Sequence, residues 1–149
     1  MRVPLIIWVA IIVFLLVLTP FINYKKTYPA NKIFFIYPLE DIILPVIIAL
    51  SFSLIAFLYL GILSTKEIDK HSDKVDIRLI KEYITGCHLA SALSIIEILL
   101  LILFYIFSEW DILGAVAIAL LFTIILIEFL TILMLWKIRI QTIANQIEK

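Results

Sequence analysis

Four stretches of the chain are almost unbrokenly apolar, and nearly all its charges fall between them. Val3 to Asn23, Ile42 to Leu63, Tyr83 to Phe107 and Ile112 to Trp136 each reach the roughly 20 residues that a helix rising ~1.5 Å per residue needs to cross a hydrocarbon core ~30 Å thick. The pattern predicts an all-α fold: an integral membrane bundle of four transmembrane helices, with spans 3–23, 42–63, 83–107 and 112–136 in a single domain covering 1–149. The first run follows Arg2, as the core of a signal peptide would. It is longer than the ~7–15 apolar residues of such a core and no small-x-small cleavage site follows, so it reads as a retained helix.

The connections are less uniform. Between Tyr24 and Asp41, Lys25, Lys26 and Lys32 alternate with Pro29 and Pro38 around the apolar Ile33-Phe34-Phe35-Ile36-Tyr37. That segment is too short to span and too apolar for a free loop. Either it lies at the interface with Tyr24, Tyr28 and Tyr37 at headgroup level, or it packs across helix ends. The second connection, Ser64 to Glu82, mixes Lys66, Lys70, Lys74, Arg78 and Lys81 with Glu67, Asp69, Asp73, Asp76 and Glu82, the pattern of a solvated surface rather than a binding patch. Val75, Leu79 and Tyr83 within it recur at helical spacing, so the third helix is expected to start near Asp73, outside the membrane. After the last span, Trp136, Ile140, Ile143 and Ile147 form a stripe opposite Lys137, Arg139, Gln141, Asn145 and Gln146. This predicts an amphipathic cytoplasmic tail over 137–149. The extensions of helices three and four are expected to cover one another there, Ile140 on Ile80 and Ile143 on Ile77.

Small residues mark the faces on which helices approach closely in lipid. Gly86, Ala90 and Ser94 form such a ladder on the third span; Pro45, Ala49, Ser53 and Ala56 line one face of the second; Gly114 and Ala117 lie on the fourth.

Composition narrows the function classes. Hydrophobic residues make up 64% of the chain, against roughly 45–50% in soluble domains. Twelve basic and twelve acidic side chains balance and are scattered, which leaves no footprint for nucleic acid. One cysteine, Cys87, allows neither an internal disulfide nor a CxxC pair. Three glycines and five prolines leave little scope for the broken helices in which transporters place substrate, which weighs against a transporter. Arg2, the second connection and the tail hold nine of the twelve basic residues. That bias puts both termini in the cytoplasm, and the chain is read as a multi-pass protein of a prokaryotic plasma membrane.

Candidate chemistry rests on two carboxylates, Glu97 in the third run and Glu128 in the fourth. An ionisable group in hydrocarbon is costly unless protonated, paired or hydrated. Counting from the turn at Trp110, the two differ in depth by about five residues, roughly 7 Å, so they act separately. Each is either a protonatable site on a proton or ion path or the anchor for a cation on another chain. The plainer alternative is a carboxylic acid hydrogen-bonded across a helix interface. No lysine or arginine within any span can pair with them. His88 stands alone near the membrane, short of the ligands for haem or zinc, and reads as a hydrogen-bonded structural residue. Ser91 and Ser94 lie too close to it along the helix for a nucleophile and base. No catalytic residue, metal or cofactor is expected. Glu97, Glu128, His88, Ser91 and Ser94 remain as intramembrane ion-path or partner contacts.

Three function classes follow. The favoured one is a small non-catalytic subunit or assembly partner of a larger membrane complex. The alternatives are a homo-oligomeric proton- or cation-coupled transporter or channel and a membrane-embedded enzyme acting on lipid-like substrates. The expected partners are the bilayer and other membrane subunits or copies of the chain itself, not nucleic acid.

Overall fold

The computed structural model describes residues 3–28, 37–71, 76–107 and 110–147. They form four helices, α1 (Leu5–Thr27), α2 (Tyr37–His71), α3 (Ile77–Ile106) and α4 (Asp111–Ile147), with no strand among the described residues. All four are long and apolar enough to cross a membrane. The β-branched isoleucines that fill them are indifferent helix formers in water. In hydrocarbon, a backbone that cannot bond to water must satisfy itself within the segment, and the helix is the solution open to a single span.

The helices overrun the apolar stretches at most ends. α1 continues through Pro20 to Thr27, ending on Lys25 and Lys26, cations that suit the negative end of a helix dipole. α2 begins at Tyr37, so Pro38 sits in its first turn, where the missing N–H costs little. Pro45, expected near the helix start, is instead interior. α2 then runs to His71, absorbing much of the second connection. α3 starts at Ile77 rather than near Asp73, because the Asp76 carboxylate accepts the Arg78 backbone N–H at 3.0 Å and caps the helix there. The apolar segment 33–36 lies outside the described residues, but Tyr37 is helical, and the rings of Tyr24 and Tyr28 pack at a tilt of 45° with 5.3 Å between centres.

α3 and α4 form the central pair. α2 packs on α3, and α1 packs on α4 and more lightly on α3; neither α1 with α2 nor α2 with α4 packs extensively. α1 is held at both ends. At its start the Glu82 carboxylate of α3 accepts the backbone N–H groups of Leu5 at 2.8 Å and Ile6 at 3.2 Å. At its end Lys25 bonds Asp111, the first residue of α4, at 2.7 Å. The starts of α1 and α3 thus share one end of the bundle, and the α3–α4 turn marks the other.

Two apolar clusters fill the interior. Towards the α3–α4 turn, Leu101 and Phe104 meet Ile118, Ile124 and the α2 residues Ile43 and Leu50. Towards the chain's starting end, Tyr83, Cys87 and Ala90 meet Ile6, Ala10, Phe57 and Ile127.

Two expected faces fall elsewhere. α2 leans on α3 through Ile43, Leu50, Phe57 and Gly61, all buried, while Ala49 and Ala56 face outward and Ser53 is half-buried between them. A helix with one substantial neighbour needs one heptad-spaced stripe, and here large side chains supply it. The seam between the extensions of α3 and α4 does not close. Ile80 is buried, but Ile77, Ile140 and Ile143 are 52%, 54% and 55% exposed. The inward face of α4 continues through Met134, Leu135 and Ile138, which turns Trp136, Ile140, Ile143 and Ile147 outward.

Candidate functional site

The inward stripe of α3 runs Gly86, Ala90, Ser94, Glu97, Leu101 and Phe104, all buried. Heptad-like spacing keeps these residues over α4, so the same periodicity that buries the small residues also buries Glu97. Its side chain is fully enclosed, and neither Oε1 nor Oε2 has a hydrogen-bond partner.

The surrounding hydroxyls do not serve it. Ser94 donates to the Ala90 carbonyl at 2.7 Å, Ser91 to Cys87 at 2.8 Å, Thr123 to Ala119 at 2.8 Å and Thr131 to Ile127 at 2.7 Å. Each is satisfied one turn back on its own helix, the usual arrangement for Ser and Thr in a span. Ser53 is the exception. Its hydroxyl, on α2, donates across to the Glu128 carboxylate on α4, which is half-buried. The two carboxylates therefore differ in kind: Glu97 is sealed and unbonded, whereas Glu128 is bonded and lies where α2 and α4 are only loosely joined.

His88 is exposed, and its ring edge lies over Gly61, with Cε1 3.6 Å from where a Cβ would stand. Gly61 thus seats α2 on Cys87 and His88, a contact the sequence reading missed, although Gly61 is the one glycine of the second apolar run. Gly86 lies where α1, α3 and α4 converge. A Cβ there would collide with Thr131 Oγ1 and stand 2.9 Å from Ile6 Cδ1. Gly114 and Ala117 are buried on α4. Glu82, read as part of a solvated charge run, is the cap of α1. Nothing in the sequence signals that role, because the N–H groups that donate to it lie 76 and 77 residues away.

Among the described residues no three His, Cys, Asp or Glu side chains gather as a metal site would require. The arrangement defines an integral multi-pass membrane protein with four apolar helices and two intramembrane carboxylates. Compared with known proteins, the chain matches no family model, no curated protein and no solved structure.

Proposed function

We propose that this protein is a small non-catalytic subunit or assembly partner of a larger membrane complex, lying in a prokaryotic plasma membrane with both termini cytoplasmic. The observation that carries the reading is Glu128. It is half-buried beside a loosely packed pair of helices, with the Ser53 hydroxyl as its hydrogen-bond donor. An intramembrane carboxylate ordinarily faces a cation, water or another chain, and no lysine or arginine lies within the spans. Ala49 and Ala56, outward on the same helix as Ser53, leave room for a further helix to approach. Glu97, enclosed within the chain, is out of reach of an outside helix, so docking falls to Glu128.

Purification from the native membrane in mild detergent tests this. A stoichiometric partner is expected, bearing a lysine or arginine in its membrane segment, and Glu128→Gln is expected to release it. A chain that purifies alone, or keeps its partner when Glu128 is neutralised, would overturn the proposal.

One observation favours a second reading, proton- or cation-coupled transport: the enclosed, unbonded carboxyl of Glu97 between two apolar clusters. In liposomes this reading requires the protein alone to move protons or cations and to stop when Glu97 becomes glutamine. The uninterrupted helices and scarce glycines make it the weaker of the two.

A further inference from the structure

A groove of about 480 Å³ opens at the end of the bundle where α1 and α3 begin and α4 passes Lys137. Its size is within the ~300–1,000 Å³ of small-ligand sites. Its walls are aliphatic, formed by Leu5 and Val9 of α1 and by Leu130, Leu133 and Met134 of α4. Leu5 and Leu133 are substantially exposed, so the walls are open to the surroundings rather than sealed in the core. The rim carries Arg78, Lys137, Asp76 and Glu82.

These charges are not equivalent. Both Glu82 oxygens accept backbone N–H groups of α1, and Asp76 accepts the Arg78 backbone N–H. Each carboxylate is thus committed to capping a helix. Arg78 and Lys137 are exposed, and neither side chain makes an ion pair among the described residues. Each carboxylate keeps its charge but is turned onto a helix N-terminus, whose dipole offsets it, so among the described residues the charge left uncompensated at the rim is that of Arg78 and Lys137. Trp8 and Trp136 are exposed at the same end, the aromatic pair that marks a bilayer interface. The groove therefore joins an apolar trough in the acyl region to paired cations at headgroup depth, the arrangement by which basic pockets between helices take anionic lipid.

We infer that this groove binds an anionic phospholipid, with Arg78 and Lys137 taking the phosphate and the aliphatic walls of α1 and α4 taking an acyl chain. A soluble anion would leave the trough unfilled, and a zwitterionic lipid would bring a cation of its own beside Arg78 and Lys137. The site is separate from Glu128 and from the α2 face, so it stands or falls independently of the docking role.

The test uses the full chain in mild detergent, titrated with phosphatidylglycerol or phosphatidylcholine of identical acyl chains, with bound lipid counted by native mass spectrometry. Phosphatidylglycerol is expected to be retained roughly thirtyfold better, as two cations at the membrane surface at about 1 kcal/mol each imply. R78Q/K137Q should remove the difference, and R78K/K137R, which keeps the charges, should restore it. Leu133→Trp narrows the trough without touching the rim and should weaken phosphatidylglycerol binding as well. Equal retention of the two lipids by the unaltered protein would overturn the inference, as would undiminished preference in R78Q/K137Q. Displacement of the lipid by millimolar inorganic phosphate would assign the cations to a soluble anion and overturn it too.

Discussion

Gly86 offers the sharpest test of the packing at the junction of α1, α3 and α4. In Gly86→Ala the new methyl must displace Thr131 Oγ1 and meets Ile6 Cδ1 at 2.9 Å. The isoleucine tip can swing aside, but the threonine is held. Its hydroxyl bonds the Ile127 carbonyl at 2.7 Å, and its own Cβ is 3.4 Å from the new atom. Turning Thr131 to its other helical rotamer sacrifices that bond; otherwise α3 and α4 must part. Overpacking of this kind costs ~1–3 kcal/mol, against a gain of up to about 1 kcal/mol from alanine's better helix propensity. A net loss of roughly 0.5–2 kcal/mol is expected from those terms. Unfolding in mixed micelles titrated with SDS, followed by tryptophan fluorescence, measures it. Thr131→Ala should cost little alone and should restore Gly86→Ala, with a coupling energy of at least about 0.5 kcal/mol in the double-mutant cycle. Gly61→Ala is the control. Its new methyl meets Cys87 Cβ at 3.3 Å, and α2, which has one substantial neighbour, can ease outward, so the loss should be smaller. If Gly86→Ala is as stable as the unaltered protein, or Thr131→Ala does not rescue it, the close approach described for these helices is wrong.

Three further outcomes follow. Glu82→Ala removes the acceptor for the Leu5 and Ile6 N–H groups, with an expected cost of ~1–2 kcal/mol and faster amide exchange confined to the first turns of α1; exchange that is unchanged there would refute the cap. Glu97→Leu replaces an enclosed, unbonded carboxyl by an apolar side chain, so the SDS midpoint should rise by the equivalent of ~1–3 kcal/mol, and a fall would mean that Glu97 has a stabilising partner. Single cysteines at the exposed Lys26 and Lys81, with buried Cys87 left in place, should react with an impermeant maleimide from opposite sides, Lys81 from the cytoplasm; labelling from one side would sink the up-and-down order of the helices.

The sequence by itself determined the number of spans and their helical nature. Hydrocarbon leaves an apolar run of such length no other way to satisfy its backbone, and that constraint is local. The same local periodicity put Glu97 on the small-residue face of α3 with Gly86, Ala90 and Ser94. Helix ends were less legible, because the charges after Asn23 and after Ser64 read as connections while α1 and α2 run on into them. Pairing between helices belonged to the tertiary structure alone. Apolar residues surround α1 and α2 on every side, so their sequences carry almost no directional signal. Which stripe faces inward is settled by neighbours far along the chain: Glu82 under the start of α1, Lys25 on Asp111, Ser53 on Glu128, and Gly61 against Cys87. For the same reason the sequence separated Glu97 and Glu128 by depth alone, and only the fold distinguished an enclosed carboxyl from one that meets a second helix. The groove beside Arg78 and Lys137 was equally invisible in the sequence, where Arg78 lies in the second connection and Lys137 in the tail, and where nothing shows that α1 comes alongside α3 and α4 to form its further wall.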